Sequence, residues 1–324
     1  MRSTISTEDA MAFEIPKVKY TGRIREITLG TGPKAVTVGG ATAYPFHLFE
    51  GAMPRRPAIA MEVPDQKPED GAAAAVLPFA DVLGDPAAWA KKNVSEYGAD
   101  MICLQMGSID PNGANRPARE AADVARKVIA AVDVPVILWG SANHEKDTEV
   151  LRLIAEECDG KNLALGPVEE GDYRQIGAGA LAYKHTVIAS SPIDVNLAKQ
   201  LNILLGNLGV PAERILVDPT TGALGYGLEY TYSVMERDRM AALTQEDEKL
   251  QHPIICNIGT EVWKTKEAKM AEADEPKLGD ATKRGILMEC VTAMTMLMAG
   301  ADILILRHPE SVKLMRTMIG NLMD

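Results

Sequence analysis

The chain has 324 residues, 46% of them hydrophobic and 24% charged, a globular composition with ample length for a large core. Its formal charge of -11, from 34 basic and 45 acidic side chains, is scattered rather than gathered in a tail, which argues against a nucleic-acid or anionic-membrane partner. Four widely spaced cysteines, Cys103, Cys158, Cys256 and Cys290, form no CxxC pair and no zinc or iron-sulfur ligand set, and read as buried thiols of a reducing cytoplasm. The N-terminal MRSTISTEDAMAFEIPKVKY lacks the uninterrupted apolar core of a signal peptide. The most apolar region, 286–306, is interrupted by Glu289, Gly300 and Asp302 and divides into a helix and a strand rather than a membrane span. The expected location is the cytoplasm.

Residues 1–57 form an extension in which VKYTGRIREITLG and KAVTVGG are expected to pair as a β-hairpin through Thr31, Gly32 and Pro33, placed to plug the bottom of the domain after it. From Ala58 onward, short apolar or β-branched runs alternate with amphipathic segments. AIAMEV from Ala58 leads to a helix that Asp85 and Pro86 start and Gly98 ends. ADMICLQM from Ala99 leads to one that Asn115 starts, with Pro117 in its first turn, ending near Val132. PVILWGS from Pro135 precedes a helix over 143–158, and LALGPV from Leu163 precedes one over 169–183. HTVIASS from His185 precedes a helix over 192–208, with Ser191 as its N-cap and Pro192 at its first position.

RILVDPT from Arg214 leads to a helix over 227–243, and PIICNIG from Pro253 leads to WKTKEAKMAEADEPKLGD (263–280), read as a solvated insertion before a helix over 281–299. ADILILRH from Ala301 and a helix over 309–323 close the chain. Gly98, Gly160, Gly209 and Gly300 stand where a left-handed cap favours glycine. The strands lack clean alternation, as expected when both faces are buried. Eight strands alternating with eight helices predict a (β/α)8 TIM barrel over 58–324. The competing doubly wound sheet wants a glycine fingerprint after its first strand, absent after Val63.

Barrel chemistry sits at the C-terminal ends of the strands, which here offer Glu62, Asp65, Gln105, Gly107, Ser141, Asn143, His144, Gly166, Ser190, Ser191, Asp218, Thr220, Thr221, Asn257, Arg307 and His308. As a catalytic set this is incomplete. A metal hydrolase wants converging histidines and carboxylates, whereas His144 and His308 read as helix-start or loop residues. A Schiff-base enzyme wants a lysine inside a strand; Lys184, just before the fifth run, reads as a solvated entry residue. Ser190 and Ser191 lack a GxSxG elbow. Asp218, Asn143 and Asn257 either hydrogen-bond a heterocycle such as a pterin or satisfy loop amides. The methionines at 288, 294, 296 and 298 are expected to pack against the barrel.

The loop after Asp218 raises a sharper question, because TTGALGYG carries Gly222, Gly225 and Gly227 without the Lys-Ser/Thr ending of a phosphate loop. A tight turn accounts for one or two of these glycines. Three together favour a broad ligand or partner lying over the mouth.

FHLFEG (46–51), SPIDVNLAKQLNILL (191–205), VDPTTGALGYGLEYTYSVMER (217–237) and ILILRHPE (303–310) resemble the small, or delta, subunit of the corrinoid iron-sulfur protein in the acetyl-CoA synthase and carbon monoxide dehydrogenase system. The resemblance runs from about Val36 to the C-terminus and is most specific in the glycine loop and its following helix. It implies a heterodimer with a larger subunit carrying an iron-sulfur cluster and a cobalamin (corrinoid), the corrinoid being shared at the interface and no cluster lying in this chain. It further implies methyl transfer from methyltetrahydrofolate, through a separate methyltransferase, to acetyl-CoA synthase, with a reductive activator as another partner and a non-catalytic, cytoplasmic role for this chain in carbon fixation. Residues matching the family loop are Thr220, Thr221, Gly222, Ala223, Leu224, Gly225 and Tyr226. With Asn143 and Asn257, at the tops of other barrel strands, they are the expected cofactor-facing residues. The alternatives are a pterin-dependent methyltransferase acting on its own, with Asn143, Asp218 and Asn257 holding the pterin, and an interaction scaffold without cofactor contact.

Overall fold

The computed structural model describes residues 14–68, 72–222 and 224–323. A two-stranded antiparallel sheet of β1 (Glu26–Leu29) and β2 (Val36–Gly39) precedes a closed parallel barrel. All eight expected runs contribute its strands: β3 (Ala58–Pro64), β4 (Met101–Gln105), β5 (Val136–Trp139), β6 (Ala164–Val168), β7 (Thr186–Ser190), β8 (Ile215–Asp218), β9 (Ile254–Asn257) and β10 (Ala301–Leu306). Each pairs with its sequence neighbour, and β10 closes on β3 through the register Leu306 to Met61.

Around the barrel run α1 (Ala73–Val76), α2 (Pro86–Ser95), α3 (Ala118–Ala131), α4 (His144–Glu157), α5 (Tyr173–Ala182) and α6 (Val195–Leu208). They continue with α7 (Leu228–Thr244), α8 (Ile258–Trp263), α9 (Lys266–Lys269), α10 (Ala281–Ala299) and α11 (Pro309–Met323). Asp85 caps α2 as expected, accepting from the amides of Ala87 and Ala88, both at 3.0 Å. Gly209 and Gly300 end α6 and α10 in the left-handed region, at φ of 100° and 113°.

Several starts differ from expectation. Pro117 is itself the extended cap residue of α3, so that helix begins after Asn115 rather than at it. α5 begins at Tyr173, because Glu169 and Asp172 form a turn before it, the Asp172 carboxylate accepting from the Glu169 amide at 2.8 Å. Ser191 does not cap α6. Ile193 takes a left-handed φ of 39°, which turns the chain, and the Asp194 carboxylate caps instead, accepting from Asn196 at 2.7 Å and Leu197 at 3.0 Å.

Segment 263–280 is not a purely solvated insertion. Its first residue, Trp263, is buried with Ala268 against Ala72 and Ala75, and Arg284 reaches back to the carbonyls of Gly279 and Met270. Cys103, Cys158 and Cys256 are buried, but Cys290 is only partly so. Among the described residues no helix is long and apolar enough to cross a membrane.

Alternation is present in the strands but invisible as polarity, because both faces are apolar. Ala58, Ala60, Met101, Cys103, Ile137, Ala164, Ile188, Leu216, Ile255, Ile303 and Ile305 form the lumen, while Ile59, Met61, Val63, Ile102 and Leu104 join the shell under the helices. Ile27, Leu29 and Val38 of the hairpin belong to the lumen cluster and plug its lower end. The plug is tied on by Asn162, whose side chain donates to the Thr28 carbonyl at 2.7 Å and whose carbonyl accepts from Gly30 at 3.0 Å. Ile27→Ala is expected to cost about 2–5 kcal/mol in urea unfolding; an unchanged midpoint would mean that the hairpin is not part of the core.

Candidate functional site

One side-chain layer above the lumen cluster, two residues further along each strand, stand Glu62, Gln105, Trp139, Gly166, Ser190, Asp218, Asn257 and Arg307. This layer floors the C-terminal mouth, and its polar members pair with one another. Arg307 Nε donates to Glu62 Oε2 at 2.6 Å, Gln105 Nε2 to Asn257 Oδ1 at 3.1 Å, and Ser190 Oγ to Asp218 Oδ2 at 2.7 Å. The other Glu62 oxygen accepts from the Thr260 amide, and a Cβ at Gly259 would collide with that carboxylate.

Arg307 is aimed by a residue outside the mouth. Glu289, fully buried on α10, accepts from the amides of Arg307 at 2.6 Å and His308 at 3.2 Å, fixing the turn after β10. Burial raises the Glu289 carboxyl above its usual range, although the Arg307 amide opposes the shift.

Asp218 is the most perturbed group of the layer. Burial pushes its carboxyl up to about 7, against the hydrogen bonds from Ser190 and from the Thr220 amide at 3.1 Å. Around it the backbone is strained. Ala142, Ile193 and Thr220, in the loops after β5, β7 and β8, lie at φ of 65°, 39° and 63°, positions that cost energy for residues with a Cβ and cluster at functional surfaces. Thr220 is held there by its hydroxyl, which donates to the Ser191 carbonyl at 2.8 Å, and by its own carbonyl, which accepts from Thr231 Oγ1 at 3.1 Å.

The glycine loop is only partly explained by its own geometry. Gly225 needs to be glycine, at φ 87°. Gly227 is at φ 170°, outside the left-handed region, and is buried. Gly222 avoids the left-handed region, and a Cβ there would meet only Ile193 Cδ1 at 3.8 Å and the Thr220 carbonyl at 4.0 Å. Around a Cβ at Gly225 there is open space. Thr221 is buried and Tyr226 is 84% exposed. Ala223 lies outside the described residues.

Asn143 and Asn257 differ in placement. Asn143 caps α4, its side chain accepting from the Lys146 amide at 3.0 Å, whereas Asn257 faces Gln105 across the mouth. His144 stands at the rim with Nδ1 3.0 Å from Asp172 Oδ2, a contact that raises its pKa. His308 is buried against Trp263, Nδ1 accepting from the Glu310 amide at 3.1 Å. Lys184 is exposed at the opposite end. Asp65 locks two loops together, accepting from the Ser108 amide at 2.9 Å and from its hydroxyl. Among the described residues no group of three or more His, Cys, Asp or Glu is placed to hold a metal ion. Sequence reasoning missed Thr260 and Glu289; the available signal for Glu289 was a single acid inside the most apolar helix.

A sequence profile of the CO dehydrogenase/acetyl-CoA synthase delta subunit family matches residues 26–321. The chain belongs to this family. It is 37% identical over 322 residues to the acetyl-CoA decarbonylase/synthase complex subunit delta of Archaeoglobus fulgidus, covering 96% of this chain and 71% of that protein. Identity to the corresponding subunit of Methanothermobacter thermautotrophicus is 38% over 319 residues, covering 98% and 80%. Among solved structures, dihydropteroate synthase of Xanthomonas albilineans with 4-aminobenzoic acid shares the fold at TM-score 0.57 and 12% identity, covering 92% of this chain and 98% of that one. The 7,8-dihydropteroate synthase of Vibrio fischeri aligns at TM-score 0.54 and 12% identity, covering 91% and 98%. At such identities these two structures speak for the barrel alone.

Two substitutions probe the delta-family mouth. Arg307→Met leaves Glu62 buried without its cation, and chemical denaturation is expected to read a loss of about 3–5 kcal/mol; a smaller loss than about 1 kcal/mol would mean the pair is dispensable. Asp218 holds its proton more tightly folded than unfolded, so its contribution favours the fold below about pH 4 and is lost as pH rises toward 7. Relative to Asp218→Asn, the unaltered chain should lose stability over that window, by at most about 1.4 kcal/mol per pH unit. Parallel stability curves would contradict the assignment.

Proposed function

We propose that this delta-family chain is a non-catalytic subunit of a methyl-carrying corrinoid protein, and that its barrel mouth covers the corrinoid held by a larger iron-sulfur partner subunit. The observation that carries the reading is the loop after β8, where Gly222 and Gly225 leave backbone bare and only Gly225 needs glycine for its turn. Gly222 has room for a side chain and a backbone angle that permits one, yet it has none. A broad, flat macrocycle fits such a surface: the small Thr220 side chain and the open space at Gly222 and Gly225 allow close approach. In this reading Leu224 and Tyr226 complete the contact, with Asn257 on the adjoining strand end and Asn143 beyond the end of β5. When bound, the corrinoid supplies a cobalt that carries the methyl group. The chain's own residues orient it and exclude water from its face.

The partners are then the larger subunit, a methyltransferase using methyltetrahydrofolate, acetyl-CoA synthase and a reductive activator, all in the cytoplasm and serving the acetyl-CoA pathway. A methyltransferase acting alone would need Asn143, Asp218 and Asn257 to face a pterin. Asp218 instead accepts from Ser190 Oγ and from the Thr220 amide within its own mouth, which favours the covering role.

Gly222→Trp fills the bare stretch at a permissive backbone angle. In a heterodimer that still assembles it is expected to slow methyl transfer to acetyl-CoA synthase by about tenfold or more, since roughly 1.4 kcal/mol of misfit suffices for that factor. Unchanged transfer, or saturable methyltetrahydrofolate binding by this chain alone, would contradict the proposal.

A further inference from the structure

A cavity of about 210 Å³ lies between α6 and the turn before α5. Leu197, Leu201 and Leu204 of α6 and the ring of Pro192 give it an apolar wall, and Glu169 and Glu170 line it from the turn. An engineered apolar cavity of roughly 150 Å³ admits benzene, so this one has room for about six to ten non-hydrogen atoms. Among the described residues that line it there is no lysine or arginine.

At the end of β7, Ser190 and Ser191 complete the lining. Ser190 is satisfied, since its hydroxyl donates to Asp218 Oδ2 at 2.7 Å. Ser191 is not. Its backbone is fixed, the amide donating to the Asp218 carbonyl at 3.2 Å and the carbonyl accepting from Thr220 Oγ1 at 2.8 Å. Yet its hydroxyl, on a residue only 2% exposed, has no hydrogen-bond partner among the described residues. A buried hydroxyl left unpaired is costly, and a residue that lines a cavity can find its partner in what enters that cavity.

The two glutamates are not used up by their neighbours. His144 Nε2 stands 3.7 Å from Glu169 Oε2, and Gln200 Nε2 donates to Glu170 Oε1 at 3.4 Å. Each contact engages one oxygen, which leaves the other of each carboxylate to a ligand.

We propose that this cavity is a binding site for a small amphipathic ammonium, its apolar body against the leucines, its cationic head toward Glu169 and Glu170, and a hydrogen-bonding group at its far end on Ser191. An anion would meet two carboxylates and no cation on the lining. A wholly apolar molecule would leave Ser191 unpaired. Water is the competing occupant, but three leucines and a proline offer it no partners. The site stands whether or not the barrel mouth covers a corrinoid.

Isothermal titration calorimetry of the full chain with 5-amino-1-pentanol tests this. Saturable one-to-one binding is expected, with Kd on the order of millimolar, as fits so small a ligand. Pentylammonium, which lacks the hydroxyl, should bind about threefold or more weakly to the unaltered chain, whereas Ser191→Ala should bind the two amines alike. Replacing both carboxylates, by Glu169→Gln with Glu170→Gln, should weaken both amines about threefold or more, and valerate should not bind. Leu197→Trp, at a position 40% exposed on the cavity wall, is expected to abolish binding. Circular dichroism checks that the variants are folded, and Leu204→Phe serves if the tryptophan variant is not. Absence of saturable binding would overturn the inference, leaving the cavity to water. So would valerate binding as tightly as the amines, an undiminished preference for the amino alcohol in Ser191→Ala, or full affinity in the folded variant with the filled cavity.

Discussion

The Glu62–Arg307 pair sits where the barrel closes. β3 and β10 are the first and last strands of the cylinder, and the two residues are separated by 245 positions in the chain. Buried charges of this kind hold only when their remaining lone pairs and protons are also satisfied. Here Thr260 donates to the second Glu62 oxygen, while Glu289 fixes the Arg307 and His308 amides from behind. Barrel closure, the loop after β9 and the packing of α10 thus meet at one electrostatic knot.

That knot also shapes what the mouth can do. With Glu62 against Arg307, Gln105 against Asn257 and Ser190 against Asp218, the polar floor satisfies itself. A ligand entering the lumen would break pairs before forming any. The open contact surface lies in the loops beyond the strand ends, around the strained Thr220 and the open space at Gly222 and Gly225. Such a surface suits something wide laid across the rim.

Much of the barrel was legible in the sequence, because each strand is a short run of apolar or β-branched residues followed by a helix with a readable start or stop. Asp85 with Pro86, and Gly209 and Gly300, are local signals that tertiary contacts did not override. Ser191 with Pro192 was such a signal and was overridden: the left-handed turn at Ile193 brings Asp194, a charged acceptor, to the helix start. Segment 263–280 misled because its composition is that of a solvated loop, while its order depends on one tryptophan against distant alanines. At the mouth, strand-end position named Glu62, Asn257 and Arg307 but not their pairing, since residues far apart in sequence meet only through the register of the closed sheet. Glu289 belongs to the same class, as its role depends on a turn 18 residues away.

The central claim, that this loop lies against a corrinoid carried by another subunit, is most directly tested by hydrogen–deuterium exchange of the chain assembled with the large subunit in corrinoid-loaded and corrinoid-free forms. The account predicts that amides from Thr220 to Tyr230 become protected when the corrinoid is present and stay exchangeable when it is absent. Equal exchange in that loop with and without corrinoid would contradict it.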